Sequence, residues 1–473
     1  MELGFLVGVA EYDHVRAELQ SPAATKATDV HAEPQGPTGF TRASRVAGRL
    51  RAPGSKSLAQ RALFAAALAE GSTRIAGLPD GDDVARALAL IEACGAPVVR
   101  LAPAAVRVDG RPPGPGRGLA PRAPLELGES GTLARFAVAT LGLCASTDRW
   151  IELRASGTLA RRRSDALIDA LAASGVEFET RTFPLRLRPL GPATQIELVA
   201  PRSSQELSGL LLALAAYPDE NRVVVRGAVP SRPYVAMTRG VLARFGARVD
   251  ERKTGGESEF TVKGPLRAPD APFEIEPDAS LAAVALCAAC IGGGELVASG
   301  LSRASLQGDV RIVEHLAAFG CDSGFAKDGL FARGKPTRGA RLDLTGEPDL
   351  APPLVALAAA ALLADGAASS EFVGLGTLPG KESSRIEVLA RGLAALGFEV
   401  GATPTTLRLL AAPHRTQPAR LDAHGDHRMA FAFALLGMAC DGVEVEGGAS
   451  VAKSWPGFWR ELTELGAVPI ALE

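Results

Sequence analysis

The sequence predicts an α/β (α+β) protein of two domains, built from six repeats of two helices and a few short strands. Three observations predict it. At 473 residues the chain is longer than one ordinary core can hold. An amphipathic helix that ends on glycine and leads into a strand recurs six times. A second, more apolar helix precedes each of these.

The amphipathic helices are predicted over 87–95, 165–175, 238–246, 310–320, 387–397 and 460–466. Their closing glycines suit the left-handed position that ends a helix. These glycines are 80, 71, 74, 77 and 69 residues apart. The apolar helices are predicted over 61–69, 133–143, 205–216, 280–291, 351–364 and 428–440. They are hydrophobic nearly all round and should be buried, with the charged helices outside. Three repeats per domain is the natural division. Pro265, Pro269, Pro272 and Pro277 mark a linker near 267–277.

Composition excludes several classes. No apolar run reaches membrane-spanning length without a charge, glycine or proline, so no membrane association is expected. A net charge of −2 provides no long-range field for nucleic acid. Lysine is scarce, with eight in the chain, and three of these sit beside Gly/Ser/Pro turns at Lys56, Lys381 and Lys453. Cys94, Cys287, Cys290 and Cys440 lie in alanine-rich helical patterns, and Cys144 and Cys321 follow such patterns. The Cys287–Cys290 spacing resembles a redox or zinc pair but has no second pair or histidine partner, so buried thiols in a reducing cytoplasm are expected. Met1-Glu2-Leu3 has no basic signal-like start, and Glu2, Glu11, Asp13 and Glu18 oppose a transit peptide. Residues 1–43 are expected to form a flexible extension, with Pro, Ala, Thr and Gly enriched over 22–40.

Polar residues gather where the apolar helices begin. Pro53-Gly54-Ser55-Lys56-Ser57, with Arg61 one turn on, places two hydroxyls, an ammonium and a guanidinium at one helix N-terminus. Free backbone N–H groups and the helix dipole favour an anion there. The P-loop spacing is absent. Gly128-Glu129-Ser130-Gly131-Thr132 with Arg135 opens the second apolar helix, and Pro201-Arg202-Ser203-Ser204-Gln205 opens the third. Glu347-Pro348-Asp349 precedes the fifth, and Gly425-Asp426-His427-Arg428-Met429 opens the sixth. Arg161-Arg162-Arg163, Ser231 to Tyr234, Gly380-Lys381-Glu382-Ser383-Ser384-Arg385 and Lys453-Ser454-Trp455-Pro456 add charge and hydroxyls. Taken singly, each has a plain structural reading as a capped turn, a solvated face or a structural hydrogen-bonder. No His/Cys/Asp spacing matches a metal site, and no Ser-His-Asp arrangement is suggested.

Taken in order, these motifs and Gln307-Gly308-Asp309 resemble the 5-enolpyruvylshikimate-3-phosphate synthase family over residues 45 to about 465. The resemblance implies a two-domain inside-out α/β barrel of six βαβαββ units. One domain would hold 44–54 plus 277–473, and the other 55–276. It implies transfer of the enolpyruvyl group of phosphoenolpyruvate to the 5-hydroxyl of shikimate 3-phosphate, by addition and elimination. The setting is the shikimate pathway of aromatic amino acid biosynthesis. No cofactor or metal is implied, and a cytoplasmic monomer is expected.

By the same resemblance, Lys56, Asp349, Glu382 and Lys381 are the expected catalytic residues. Shikimate 3-phosphate would meet Lys56, Ser57, Arg61, Ser203, Ser204, Gln205, Ser231, Tyr234, Asp349 and Lys381. Phosphoenolpyruvate would meet Lys56, Gly131, Arg162, Gln205, Arg385, Arg428 and Lys453. The unsubstituted Gly131 implies inhibition by glyphosate. The chain departs from the family pattern at Gln60, Glu129, Arg163, Thr377 and Ser384. Those departures leave open a paralogue that acts on another acceptor. A non-catalytic ligand-binding relative is a further alternative, which the retained acid–base residues oppose.

Overall fold

The computed structural model describes residues 38–114, 117–189, 191, 193–364 and 368–470. Twelve α-helices occur among them. Six form the apolar series: α1 (Lys56–Leu68), α3 (Gly131–Cys144), α5 (Ser204–Leu214), α7 (Ala279–Gly292), α9 (Ala351–Leu363) and α11 (His427–Ala439). Six form the amphipathic series: α2 (Asp82–Ala93), α4 (Asp165–Ala173), α6 (Arg232–Arg244), α8 (Ile312–Ala318), α10 (Arg385–Ala395) and α12 (Phe458–Glu464). The two kinds alternate along the chain, as the repeat predicts. Gly95, Gly175, Gly246, Gly320, Gly397 and Gly466 follow the amphipathic helices at φ between 81° and 105°.

The apolar helices are buried over almost their whole length. Side-chain caps start five of them. Ser55 accepts from Leu58 N–H, Ser130 from Leu133 N–H, and Asp278 from Ser280 and Leu281 N–H. Ser203 forms a capping box with Glu206, and Asp426 accepts from Arg428 N–H. α9 instead enters through the 3-10 turn Pro348–Leu350.

Two hydrophobic cores result. α1, α3 and α5 pack on one another in a core drawn from residues 58–275. α7, α9 and α11 form the equivalent triangle, in a core drawn from residues 40–52 and 279–467. Each fully buried Leu or Phe in them contributes about 1.5–3 kcal/mol of transfer free energy. The described residues belong to a single compact unit.

Five four-stranded sheets share one plan, a parallel pair extended by an antiparallel hairpin. Two of the parallel pairs join distant parts of the chain. Gly48–Leu50 pairs with Glu295–Ser299 in the register Gly48↔Leu296. Phe273–Glu274 pairs with Ser72–Ala76 in the register Phe273↔Ile75. The chain therefore passes between the cores twice, and the two passages run side by side. Ser55 N–H donates to Glu276 O, and Asp278 N–H to Pro53 O, both at 2.8 Å. Gly54 must be glycine here, because a Cβ would stand 2.0 Å from Gly77 O.

The sixth sheet is smaller, Ala419–Asp422 beside Val443–Glu446. Thr38 adds to it through two backbone bonds with Val445, at 2.6 and 3.2 Å. Phe40 is buried against Phe458 and Trp459. Residues 38–43, counted with the extension in the sequence reading, thus pack into this core. Residues 1–37 lie outside the described residues. All six cysteines are free and buried. Among the described residues no helix is long and apolar enough to cross a membrane.

Candidate active site

The N-terminal ends of all six apolar helices open onto one cleft of about 960 Å³. Its lining draws on Lys56 and Ser57 of α1, Gly131 of α3, Ser204 and Gln205 of α5, Ser280 of α7, Asp349 ahead of α9, and Arg428 of α11. Six helix dipoles thus direct their positive ends at one volume, which suits an anion of high charge. Both cores contribute. Every predicted site residue except Lys453 lines the cleft, and Lys453 contacts two residues that do.

On one side, Arg61 is 1% exposed. Its guanidinium donates to Thr238 Oγ1, Ser57 O and Tyr234 O at 2.8, 2.8 and 3.3 Å. Burial lowers its pKa to about 10. Lys56 Nζ lies 2.9 Å from Asp83 Oδ2. Burial disfavours its charge, but Asp83 and Glu382 outweigh that and raise its pKa. Ser231 is held at φ 48° with its hydroxyl free of any capping duty. That left-handed geometry is uncommon outside glycine and asparagine. Gln205 Nε2 donates to Thr132 Oγ1 at 2.8 Å. A Cβ on Gly131 would stand 2.6 Å from Arg135 Nη1 and 3.6 Å from both Arg162 Nη1 and Gln205 Oε1. The bare glycine lets these groups converge on the α3 N-terminus.

The other side is a network of paired charges. Asp349 Oδ1 lies 3.3 Å from Lys381 Nζ and 2.9 Å from Arg385 Nη1. Burial pushes its pKa up, but Lys381, Arg385 and Arg428 outweigh burial and hold it well below the usual carboxylate range. Tyr234 Oη reaches Asp349 Oδ2 from the opposite core at 3.5 Å. Burial, aided by Arg385 and Arg428, lowers the pKa of Lys381 despite Asp349. Glu382 Oε2 lies 3.2 Å from His427 Nδ1. Burial opposes its ionisation, yet His427, Arg385 and Lys56 keep it well below the carboxylate range. Arg428 donates to Ser280 Oγ at 2.6 Å, and its buried Nη1 has no partner. Arg135 Nε and Arg162 Nε are also buried without partners. Such donors are costly to bury unless something accepts from them.

Glu382, Asp426 and His427 bring potential metal-ligating atoms within 4.8 Å of one another. Arg385 already makes two bonds to Asp426, and Lys453 stands 3.6 Å from Glu382. Those cations make the cluster a poor cradle for a further positive charge.

The family model for EPSP synthase (3-phosphoshikimate 1-carboxyvinyltransferase) matches residues 40–462. The chain belongs to the EPSP synthase family. A 3-phosphoshikimate 1-carboxyvinyltransferase of Laribacter hongkongensis is 33% identical over 438 residues, covering 89% of this chain and 97% of that one. The protein of the same name from Aliivibrio fischeri is 30% identical over 429 residues, with the same coverage. The EPSP synthase structure from Acinetobacter baumannii shares the fold at a TM-score of 0.73 and 22% identity, covering 92% of this chain and 99% of that one. The enolpyruvyl transferase NikO from Streptomyces tendae shares it at 0.66 and 19%, with the same coverage.

Within the EPSP synthase family, this chain's departures fall unevenly on the site. Gln60 is turned away from the cleft, and its Nε2 donates to Ser130 Oγ and Asp83 O at 3.0 and 3.3 Å. It ties α1 to the start of α3. Arg163 pairs with the neighbouring Asp165 at 2.9 Å. Ser384 precedes α10 without a side-chain cap. Arg163, Glu129 and Thr377 line the cleft, whereas Gln60 and Ser384 do not.

Several residues outside the predicted substrate and catalytic set hold the predicted ones in place. Asp426, fully buried, clamps Arg385, and Asp83 holds Lys56. Asp278 accepts from Ser280 Oγ, which in turn holds Arg428. The start of the fourth apolar helix lies outside the quoted motifs, and the repeat itself is the signal that points to Asp278 and Ser280. Asp309 is buried in the cleft wall, and burial together with Asp349 and Asp278 raises its pKa to about 7.

Proposed function

We propose that this chain transfers the enolpyruvyl group of phosphoenolpyruvate to the 5-hydroxyl of shikimate 3-phosphate, releasing phosphate. One observation carries the reading. Six helix N-termini and a set of under-partnered guanidinium groups enclose a cleft that also holds two ionised carboxylates. Mere anion binding has no use for the carboxylates. Bringing together two multiply charged anions needs the cations, and moving protons needs the acid–base groups.

Ser203, Ser204 and Ser231 supply hydroxyls for the 3-phosphate, and Lys56, Ser57, Arg61, Gln205 and Tyr234 hold the rest of that substrate. Gly131, Arg162, Gln205, Arg385, Arg428, Lys453 and Lys56 take phosphoenolpyruvate. The resting charges support the following proton steps. Asp349, held ionised, accepts the 5-hydroxyl proton as that oxygen bonds to C2 of phosphoenolpyruvate. Lys381, its pKa lowered by burial, gives a proton to the methylene carbon, which becomes a methyl group. In the elimination, Glu382, also ionised, removes a methyl proton. The C2=C3 bond re-forms and the C2–O bond to phosphate breaks.

The reading includes two domains, 44–54 with 277–473 and 55–276, that close over the substrates and exclude water. It also includes a monomer acting in the cytoplasm without a cofactor. The two separate cores and the paired passages between them support the division.

The test is phosphate release from phosphoenolpyruvate and shikimate 3-phosphate, with the product identified by mass. Release with formation of the enolpyruvyl ether is expected. No release with that acceptor, but release with another hydroxylated acceptor, would overturn the choice of acceptor.

A further inference from the structure

Arg135, Arg162 and Arg428 each keep a buried donor atom without a partner, ready for an anion. Lys453 differs. Its ammonium faces Gly425 O at 2.9 Å, Glu129 Oε2 at 3.1 Å and Glu382 Oε2 at 3.6 Å. Gly425 and Glu129 accept two of its three N–H donors, and Glu382 adds a charge contact beyond hydrogen-bond distance. Gly425 and Glu382 belong to the same core as Lys453. Glu129 comes from the other core, one residue ahead of the Ser130 cap of α3, and lines the cleft. Lys453 is also the one predicted cation that does not itself line the cleft.

We propose that Glu129 masks Lys453, and that phosphoenolpyruvate must displace this carboxylate to reach the ammonium. The inference rests on the assignment of Lys453 to phosphoenolpyruvate above. An incoming phosphate or carboxylate competes with Glu129 for the same donors. It also meets the repulsion of a carboxylate beside Gly131 and Arg162. Glu129 therefore weakens binding of the donor substrate, and the exchange couples its arrival to the contact between the two cores. Lysine and glutamate side chains are each 39% exposed, so the pair is partly screened and its effect is modest.

The test compares KM for phosphoenolpyruvate in the native chain, Glu129→Gln and Glu129→Asn, at low and high ionic strength. Both variants remove the charge and leave a neutral acceptor. KM is expected to fall about two- to fivefold in both, with the advantage shrinking as salt screens the native pair. A residue that merely supports the fold would do the reverse, since its loss would raise KM. Unchanged or raised KM in both variants overturns the masking. Binding of phosphoenolpyruvate in the presence of shikimate 3-phosphate separates the two readings. Native binding without tightening in either variant overturns the inference alone. No binding to any of the three proteins overturns the assignment of Lys453 as well.

Discussion

Lys381 Nζ lies 3.3 Å from Asp349 Oδ1, and Arg385 reaches the same oxygen at 2.9 Å. Two cations on one buried oxygen keep the carboxylate ionised, while burial, aided by Arg385, leaves Lys381 with a weakened hold on its proton despite Asp349. The pair thus presents a base and an acid side by side.

Asp349 remains ionised well below the usual carboxylate range, so it sets no acid limb near pH 4 in the free enzyme. Lys381 loses its proton below the ordinary lysine value of 10.5, so kcat/KM is expected to fall on the alkaline side before that pH. Lys381→Met should lower kcat by about 10²- to 10⁴-fold and abolish that limb. Profiles of kcat/KM against pH for the two proteins check both points.

Lys56 stands at the first helix start with Asp83 at 2.9 Å. Its ammonium is the cation assigned to both substrates. Lys56→Ala is expected to reduce turnover by at least about 10²-fold without loss of folding, because the side chain is part-exposed and outside both cores. Steady-state rates alongside a thermal melt would show it. Near-native turnover would mean that the substrates lie elsewhere.

Gly131 has no room for a methyl group without moving Arg135, whose Nη1 would stand 2.6 Å from the new Cβ. Gly131→Ala is expected to raise KM for phosphoenolpyruvate by about tenfold while the fold persists, since a misplaced guanidinium costs roughly one charged hydrogen bond. The native chain should be inhibited by glyphosate in competition with phosphoenolpyruvate. Full activity at saturating glyphosate would contradict the pocket shape around Gly131.

Asp426 is fully buried, caps α11 and makes two bonds to Arg385. Asp426→Ala would remove the cap and leave Arg385 Nε and Nη2 buried without their acceptors, with only Nη1 still paired to Asp349, so a loss of about 3–5 kcal/mol in urea unfolding is expected. The pH dependence follows from the sign of its shift. Burial raises the pKa of Asp426, Arg385 more than reverses this, and the folded value lies below the unfolded one. Its contribution is therefore present above the unfolded pKa of about 3.9 and is lost as pH falls through the folded value. Asp349 behaves in the same sense. Native stability should drop steeply below about pH 4, and Asp426→Asn should flatten that drop.

Much of this protein is legible along the chain. The helices, their glycine ends and their caps depend on residues within a turn or two of each other. The period of 3.6 and the capping pattern reveal them without tertiary knowledge. The same locality exposed Ser55 to Ser57, Ser203 to Gln205 and Asp426 to Arg428 as unusually polar helix starts. Asp83, Asp278 and Ser280 were less legible, because what they do is hold a residue distant in sequence.

Local sequence is enough to set the repeat, the buried series of helices and the residue types at their starts. That six such starts meet follows from long-range packing. That convergence depends on the Gly48–Leu50 strand joining Glu295–Ser299, and on three helices closing each core. Long-range packing also decides that Gln60 faces inward while Glu129 reaches Lys453. The physical reason is range. Caps and periodicity are set by neighbours in sequence, whereas strand pairing and side-chain partners are set by whichever surfaces bury most area together, and no local pattern encodes that choice.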